Sequence, residues 1–545
     1  MHEHPVKLSV EDDLWRSRLT VFFRLILAIP HLIWIVLWTI LVAVLAVFGW
    51  IVVILIGRLP AGLHRFFCSY IRYSAHFFAY ITLAANPYPG FVGDSSYPVD
   101  VQLPEPGRLS RWKTLLRLIL ALPAIFVLYA LLGTIVTSTS SKSSNGTRGG
   151  AGGQTTTGLA TVTAVCGWFA ALFTAKMPRG LRDAGAFSVG YRTQVLAYLL
   201  LVTDVYPNAD PTAMLAGVER PPRHPVHLVG DSDDLRRSRV TVLFRLPLLI
   251  PHLVWLVLWT AVAFVAAVIQ WFFTLAAGRP IGAFHRFLSR YVRYGFHVYA
   301  FGSLTANAFP GFAGAPGIYP LDLVLPPPGP QRRWKTLLRV VLALPAFAIQ
   351  TALSAALVVD AILMWFAALF TAKAPAGLRN LSAYALRYSG QANAYFFLLT
   401  DVYPHSSPLE GADVDDPRWH DGLPDDHVST GADTVGRRST FADPPMGSPA
   451  PVVPPGGAID PTGVVHPDDA ASATSPGAAV DPTGIVQPAD AAPGARPGEA
   501  GEPPPPPLPP VDAGPGGEPG EGPTREDSGD APPAREDRPD EAEST

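Results

Sequence analysis

Four long runs of apolar residues, each led by arginines and followed by a polar and aromatic stretch, divide about three quarters of the chain into repeats. Every run opens with the spacing Arg-x5-Arg-x5-Pro, filled mainly with Leu, Ile, Val and Phe. Four identical spacings in one chain indicate internal duplication. The outer arginines of the spacing are Arg18, Arg111, Arg239 and Arg333, and the inner ones are Arg24, Arg117, Arg245 and Arg339.

A short stretch of alternating apolar residues, headed by a proline, precedes each run. Alternation of this kind predicts a short strand, and proline is tolerated at the first position of a strand. Because an isolated strand is not stable in water, we expect the four strands to pair into one small sheet outside the bilayer. The heading prolines are Pro5, Pro98, Pro225 and Pro320.

The apolar runs predict transmembrane helical hairpins. Residues 25–57 contain a single ionisable side chain, His31, and exceed the roughly 20 residues that span a membrane. The second repeat carries 25 extra residues relative to the fourth, around the Ser/Gly/Thr-rich stretch 138–157. Such a stretch does not fit in hydrocarbon, so we expect the chain to turn there. By analogy, the other hairpins turn near Leu41, near Val262 and near residues 358–360.

A third helix follows each run, after a Pro-x-Gly signal, and combines arginines with tyrosines. If this helix crossed the membrane, every second repeat would be inverted and the cluster of Arg111, Lys113 and Arg117 would lie outside. The positive-inside rule opposes that arrangement. We therefore expect an amphipathic helix in the membrane interface, eight membrane-spanning helices, both termini in the cytoplasm, and all four basic clusters on one face. A crossing third helix is the alternative.

The predicted fold class is a mainly α, polytopic membrane protein of four repeated modules with a disordered C-terminal tail. Each module comprises a short strand, a transmembrane helical hairpin and an amphipathic interfacial helix. Shared motifs place the modules in the order ABAB. The boundaries are 1–95, 96–222 with the insert near 138–157, 223–315, 316–404, and 405–545 for the tail.

Charge separates the body from the tail. Residues 405–545 hold 7 Arg against 27 Asp and Glu, a net charge of −20, whereas the preceding residues carry +17. A cationic, apolar body suits an anionic membrane surface and argues against nucleic acid as a partner. The tail contains five consecutive prolines at 503–507 and should be disordered. A protein partner that binds this proline-rich segment is a further hypothesis.

The chain contains no nucleotide-binding loop, hydrolase elbow or metalloprotease motif, so an enzyme is not expected. The cysteines, Cys68 and Cys166, have no metal-ligand spacing, and no cofactor is predicted. His31 and His252 lie in the apolar runs, where hydrogen bonding is favoured over metal binding because a ligand set is missing. Asp360 lies at a predicted hairpin turn, so we expect it to be exposed.

The recurring elements resemble those of the bacterial membrane-protein family called domain of unknown function 4389. The resemblance rests on the segment RLTVFFRLILAIPHL at 18–32, on WFAALFTAKMPRGL at 168–181 and on AYLLLVTDVYP at 197–207. It covers the four repeats and implies an integral membrane protein without an established activity. The insert, together with Asn86 and Asn307 in place of Asp, departs from the pattern.

Two functions follow as hypotheses. The first is a non-enzymatic scaffold or binding protein of the bacterial inner membrane, with a basic cytoplasmic face for anionic lipid or a protein partner. In this hypothesis the paired arginines are candidate lipid head-group contacts, and their alternative role is to anchor the helices and set topology. The second is a small-molecule or lipid transporter, for which the few polar residues in the apolar runs are Thr39, Thr260, Gln270 and Gln350. The oligomeric state is not predicted.

Overall fold

The computed structural model of the protein describes residues 4–93, 96–134, 156–230 and 235–411, with the backbone alone at Thr134, Thr156 and Thr157. Residues 412–545 of the predicted disordered tail and most of the insert lie outside the described residues, whereas residues 405–411, which the prediction assigned to the tail, are described and mostly buried. The described chain is mainly helical, as predicted. The helices are α1 (Arg18–Leu27), α2 (Ile29–Ile56), α3 (Ala61–Ile81), α4 (Arg111–Leu115), α5 (Arg117–Leu132), α6 (Leu159–Thr174), α7 (Arg179–Leu199), α8 (Pro211–Met214), α9 (Arg239–Leu243), α10 (Arg245–Ala277), α11 (Gly282–Gly302), α12 (Arg333–Leu337), α13 (Arg339–Thr371) and α14 (Ala376–Phe396). The strands are β1 (Lys7–Val10), β2 (Val99–Gln102), β3 (Gly133–Thr134), β4 (Thr156–Thr157), β5 (His227–Val229) and β6 (Asp322–Val324).

The apolar runs form long helices, and the predicted hairpins are wrong. Leu41 and Val262 lie inside α2 and α10, and residues 358–360 lie inside α13. No glycine or proline stands at these positions, so an unbroken helix pairs the backbone groups internally without a turn. Among the described residues, three helices could cross a membrane by length and composition: Arg18–Ile56, Arg245–Ala277 and Arg339–Thr371.

The insert of the second repeat interrupts a helix without turning it back. β3 and β4 pair Gly133 with Thr157. The hydroxyl of Thr161 donates to the carbonyl of Leu132 (2.9 Å) across the interruption. Gly133 and Gly158 both align with Ala355 of the unbroken helix α13, at offsets of 222 and 197 residues. The chain therefore leaves the helix and returns to it at one point, so α5 and α6 together correspond to α13.

The described residues form three layers. Long apolar helices make the first layer, the four third helices α3, α7, α11 and α14 make the second, and the strands and α8 cover them. The third helices were predicted to be amphipathic and to lie in the membrane interface. They form the centre of the described fold, and nearly all of α7 is buried, so they are not amphipathic helices on its surface. The reason is that they are covered on both sides, by long helices and by strands. Their depth relative to a membrane stays a prediction.

The four predicted strands are present, but they do not form one sheet. β1 pairs with β2, with Leu8 opposite Val101, and β5 pairs with β6, with Leu228 opposite Leu323. Both pairs are antiparallel and join the two repeats of one half of the chain. Each pair packs against the third helices of its own half, which keeps the two sheets apart.

Deleting residues 134–158 should leave a folded protein. The deletion joins Gly133 directly to Leu159, and these two residues align with the consecutive residues 355 and 356 of the continuous helix α13. We expect the midpoint of thermal unfolding in detergent, followed by circular dichroism, to be equal to or above that of the intact chain. A deletion of residues 134–156 is the matched control. It retains two additional residues and rotates the following helix by about 200°, so it should lower the midpoint. Equal midpoints for the two deletions would contradict this description of the insert.

Candidate functional site

The inner arginine of every repeat is buried and binds the end of the third helix of the same repeat. Its guanidinium donates to a backbone carbonyl just beyond that helix. It also lies 4.1–4.6 Å from the centre of an aromatic ring in the last turn of the helix. The acceptors are Ala85 for Arg24 (3.1 Å), Thr203 for Arg117 (3.1 Å), Ala306 for Arg245 (3.3 Å) and Thr400 for Arg339 (3.2 Å).

A leucine with a left-handed backbone precedes each acceptor by two residues. Non-glycine residues rarely adopt this conformation, yet it recurs at all four helix ends. The final carbonyls of a helix lack partners within the helix and carry a partial negative charge, so a buried cation stabilises them. The inner arginines are therefore occupied by protein groups and are not available to lipid phosphates. The leucines are Leu83 (φ 57°), Leu201 (φ 62°), Leu304 (φ 58°) and Leu398 (φ 61°).

The repeats differ in the charge that faces the inner arginine. In the second and fourth repeats it forms an ion pair with a carboxylate, Arg117 with Asp204 and Arg339 with Asp401 (3.3 Å). In the first repeat, Asn86 stands in the position of the aspartate and accepts from Arg24 at 3.4 Å. The asparagine departures noted in the sequence thus leave the arginine bound by neutral oxygens alone.

The outer arginines are exposed and lie at the ends of neighbouring long helices. Arg18 donates to the carbonyl of Phe173 near the end of α6, and Arg239 donates to that of Phe370 near the end of α13 (both 3.1 Å). Arg111 and Arg333 lie beside the glycines that end α2 and α10. Because all four are exposed, their role as head-group contacts stays a prediction.

The basic clusters occur at both ends of the long helices. Arg18 marks the start of the first long helix, whereas Arg111 lies beside Gly57, where that helix ends. The two positions lie at opposite ends of the first long helix, which consists of α1 and α2 and has 39 residues, up to about 58 Å at 1.5 Å per residue. The third and fourth repeats show the same antiparallel arrangement, because the backbone amide of Gln331, two residues before Arg333, donates to the carbonyl of Gly278 (2.9 Å). The repeats of each half are therefore inverted relative to each other.

Reciprocal tryptophans fix this arrangement, and the sequence analysis did not identify them. In each long helix, the indole of a tryptophan donates to a backbone carbonyl of the other repeat in the same half. The accepting residue stands three positions after the outer arginine of that other repeat. The recurrence of tryptophan at equivalent repeat positions was the available signal. The bonds run from Trp50 to Thr114 (2.8 Å), Trp168 to Val21 (2.9 Å), Trp271 to Thr336 (2.7 Å) and Trp365 to Val242 (2.9 Å).

The histidines of the apolar runs are hydrogen bonded, as predicted. The Nδ1 atom of His31 lies 2.8 Å from the hydroxyl of Tyr73 in α3, and His252 makes the same contact with Tyr294 in α11. Among the described residues, no group of three or more His, Cys, Asp or Glu is placed to hold a metal ion. These histidines fasten a long helix to its third helix.

A second set of polar contacts ties the third helices to the strands. Asp322 of β6 accepts from His297 of α11 (2.8 Å) and lies 3.4 Å from Arg293. Burial by itself would raise the pKa of Asp322, but the bond from His297 and the charge of Arg293 outweigh burial and hold the pKa below its ordinary value. Asp100 makes the equivalent contacts with His76 (3.0 Å) and Arg72 (3.2 Å) in the other half.

Asp360 is not at an exposed turn. It lies in the middle of α13, is fully buried, and accepts one hydrogen bond from Ser382 of α14 (3.2 Å). The prediction of exposure is wrong because α13 continues through this position. The polar residues considered for a transport route also bond to third helices or their ends, for example Gln270 to the carbonyl of Phe397 (3.0 Å) and Gln350 to Ser389 (2.9 Å).

The fold and its arginines define a helical repeat protein whose longest helices are apolar enough for a membrane. The chain belongs to the family described as domain of unknown function DUF4389, which matches residues 18–93, 154–209, 239–313 and 333–407, just over half of the chain. The four matches confirm the four tandem copies. Neither a comparison with curated proteins nor one with solved structures finds a match.

Substituting Arg117→Gln should destabilise the fold far more than substituting Arg111→Gln, although both remove one positive charge from one repeat. Loss of Arg117 leaves the carboxylate of Asp204 and the buried carbonyls of Tyr198 and Thr203 without their cation. Breaking a buried pair costs about 3–5 kcal/mol, and an exposed charge costs about 1 kcal/mol or less. The free energy of unfolding in detergent measures the difference. Equal losses would show that Arg117 does not hold the helix end.

Proposed function

We propose that this protein is a non-enzymatic scaffold or binding protein of the membrane, which engages anionic lipid through its outer arginines. The observation that carries the proposal is the placement of exposed arginines at both ends of helices whose exposed surface is apolar. The inner arginines, Arg24, Arg117, Arg245 and Arg339, take no part in lipid binding in this proposal, because protein groups already occupy them.

The apolar surface supports a membrane environment. On α2, a narrow stripe that includes Ile35, Val42 and Val53 is buried, side chains beside it such as Trp50 are half-buried, and most of the others are exposed. The side chains of Leu37 and Val44 are 57% and 64% exposed. A helix that is apolar outside its packing stripe needs a non-aqueous partner, because contiguous apolar patches of this size are rare on soluble proteins.

The charges at the helix ends support an anionic lipid as the ligand. A guanidinium matches phosphate oxygens with two parallel hydrogen bonds, and each basic residue near an anionic surface contributes about 1 kcal/mol. Arg18 lies near the exposed Lys176, because the backbone of Trp15 forms an isolated β-bridge with that lysine. Arg239 lies near the exposed Lys373 for the same reason, through the backbone of Arg236. Clusters of this composition fit the head groups of anionic phospholipids.

The location belongs to the same proposal. We place the protein in the bacterial cell membrane, with the amino terminus and residues 405–545 in the cytoplasm, from the charge pattern of the sequence. The acidic tail would then face the same compartment as a soluble protein partner, and the prolines at 503–507 would offer that partner a ligand.

A transporter is the second candidate, and Asp360 is the observation that favours it. An ionisable residue within an apolar helix is a functional candidate by default, and its Oδ1 atom has no hydrogen-bond partner. The candidate stays second because Gln270 and Gln350 are bound to the third helices or their ends rather than aligned along a route.

Replacing the four outer arginines together, as R18Q/R111Q/R239Q/R333Q, should abolish the preference for anionic lipid. The purified protein is incorporated into nanodiscs of neutral lipid that contain a trace of fluorescent phosphatidylglycerol, and enrichment of that lipid around the protein is measured by energy transfer from tryptophan. We expect several-fold enrichment for the intact chain and none for the variant. High salt should weaken the enrichment, since the contacts are exposed.

The matched control is R65Q/R220Q/R286Q/R290Q, which removes the same charge from exposed positions on third helices and in the loop after α8. This control should keep most of the enrichment. If both variants lose it equally, total charge rather than the arginines at the helix ends attracts the lipid, and the proposed site is wrong.

A further inference from the structure

We infer that the long helices lie parallel to the membrane plane within one leaflet, and that the strand layer faces water along its whole length. This inference rests on the proposed membrane association. It adds the orientation of the protein and the surface that contacts lipid, namely the exposed face of the long-helix layer.

Two strand-bearing segments run from one end of the helix layers to the other. In the first half, the hydroxyl of Tyr97 donates to the carbonyl of Pro87, beyond the end of α3 (2.7 Å). The amide of Leu109 donates to the carbonyl of Gly57, at the end of α2 (3.0 Å). Because α2 and α3 are antiparallel, these contacts lie at opposite ends of the pair, about 30 Å apart for the 21 residues of α3.

The second half repeats this arrangement. The hydroxyl of Tyr319 donates to the carbonyl of Ala308, beyond the end of α11 (2.9 Å). The backbone amide of Gln331 donates to the carbonyl of Gly278, at the end of α10 (2.9 Å). Residues 97–109 and 319–331 therefore each traverse the full length of a helix pair on the face opposite the long helices.

These segments are unsuited to hydrocarbon. Beyond β2 the backbone is irregular, and Gln102, Glu105 and Arg108 are exposed. In the second half, the segment after β6 is rich in proline, with Pro327, Pro328 and Pro330 exposed. Irregular backbone does not occur against lipid, because its polar groups lack partners there, and a charged side chain in hydrocarbon is costly. If α2 crossed the bilayer, Glu105 would be carried into its interior along with the helix.

The opposite face has the reverse character. The exposed large apolar side chains lie mainly on the long helices, along their whole length. One layer of helices is about 10 Å thick, and one leaflet supplies about 15 Å of hydrocarbon. The long helices therefore fit within a single leaflet, with the third helices at the level of the head groups.

This orientation also accounts for the inverted repeats. In a spanning arrangement, inversion would place the cluster at Arg18 on one side of the membrane and the cluster at Arg111 on the other. With the helices in the plane, both ends of every helix lie at the same depth. All four outer arginines then meet the head groups of one leaflet, as the charge pattern predicts for a single membrane face.

Labelling of single cysteines from either side of the membrane tests the orientation. The background is C68A/C166A, and the reporter variants are S17C and G107C, at opposite ends of the first long helix formed by α1 and α2. The Ser17 side chain caps no helix, and a side chain at Gly107 meets open space. We expect an impermeant maleimide to label both positions from the same side, in right-side-out or in inverted vesicles. Labelling from opposite sides would overturn the inference.

The second half supplies an independent pair. Ser238 caps no helix, and a side chain at Gly329 also meets open space. S238C and G329C should be labelled from the same side as the first pair. If either pair is split between the two sides, the long helices cross the membrane. The strand faces would then need cover from a second copy of the chain, which cross-linking at Glu105→Cys would detect.

Depth measurements give a second criterion that does not depend on labelling chemistry. Spin labels at I33C, V44C and L55C report on three exposed positions on one side of α2, because residues 11 apart are rotated by only about 20°. In the plane of one leaflet, the three labels should lie at one depth within a few ångströms. A spanning helix would place the label at residue 44 deepest and the outer two about 15 Å shallower. Both measurements are independent of lipid preference, so failure of the proposed lipid site leaves this test intact.

Discussion

The buried guanidinium at the start of each long helix is the contact on which the architecture depends. It binds carbonyls at the end of the following third helix, so the start of one helix is held to the end of the next. Antiparallel packing of the two helices follows from this contact. A cation buried among neutral carbonyls is costly to leave unpaired, and the repeated use of a left-handed leucine, at a backbone cost of about 1–3 kcal/mol, shows how the chain turns those carbonyls toward the arginine.

The two repeats of each half are held together by reciprocal contacts. Within each half, the indole of one long helix reaches the short helix of the other repeat, and the outer arginine of each repeat lies at the end of the other's long helix. Because each repeat makes the same contacts to the other, the two repeats pack in opposite orientations. Between the halves, Ser407 donates to Asp183 of α7 (2.8 Å), and Asn380 of α14 donates to Asp210 (2.7 Å). Each of the segments that follow α7 and α14 thus contacts a third helix of the other half.

The layered result separates two kinds of surface. Long helices that pack through one narrow stripe leave most of their apolar circumference open, whereas the strands present an irregular and polar outer face. The third helices are enclosed between these layers, where contacts such as that of His76 with Asp100 satisfy their polar side chains. The apolar face is the one that we propose to contact lipid, and the polar strand face is the one that we propose to contact water.

The amino-acid sequence by itself determined the repeats, the short strands, the mainly helical class and the hydrogen bonding of His31, because each follows from local spacing or from the cost of a lone polar group in an apolar run. It did not determine how far each helix continues. An apolar run of this length is compatible with a hairpin or with one helix, and only packing against the third helix decided in favour of one. Tertiary structure also decided the roles of the paired arginines. Arg24 and Arg18 belong to one sequence spacing, yet one is buried at a helix end and the other is exposed, because side chains six residues apart on a helix point about 120° apart.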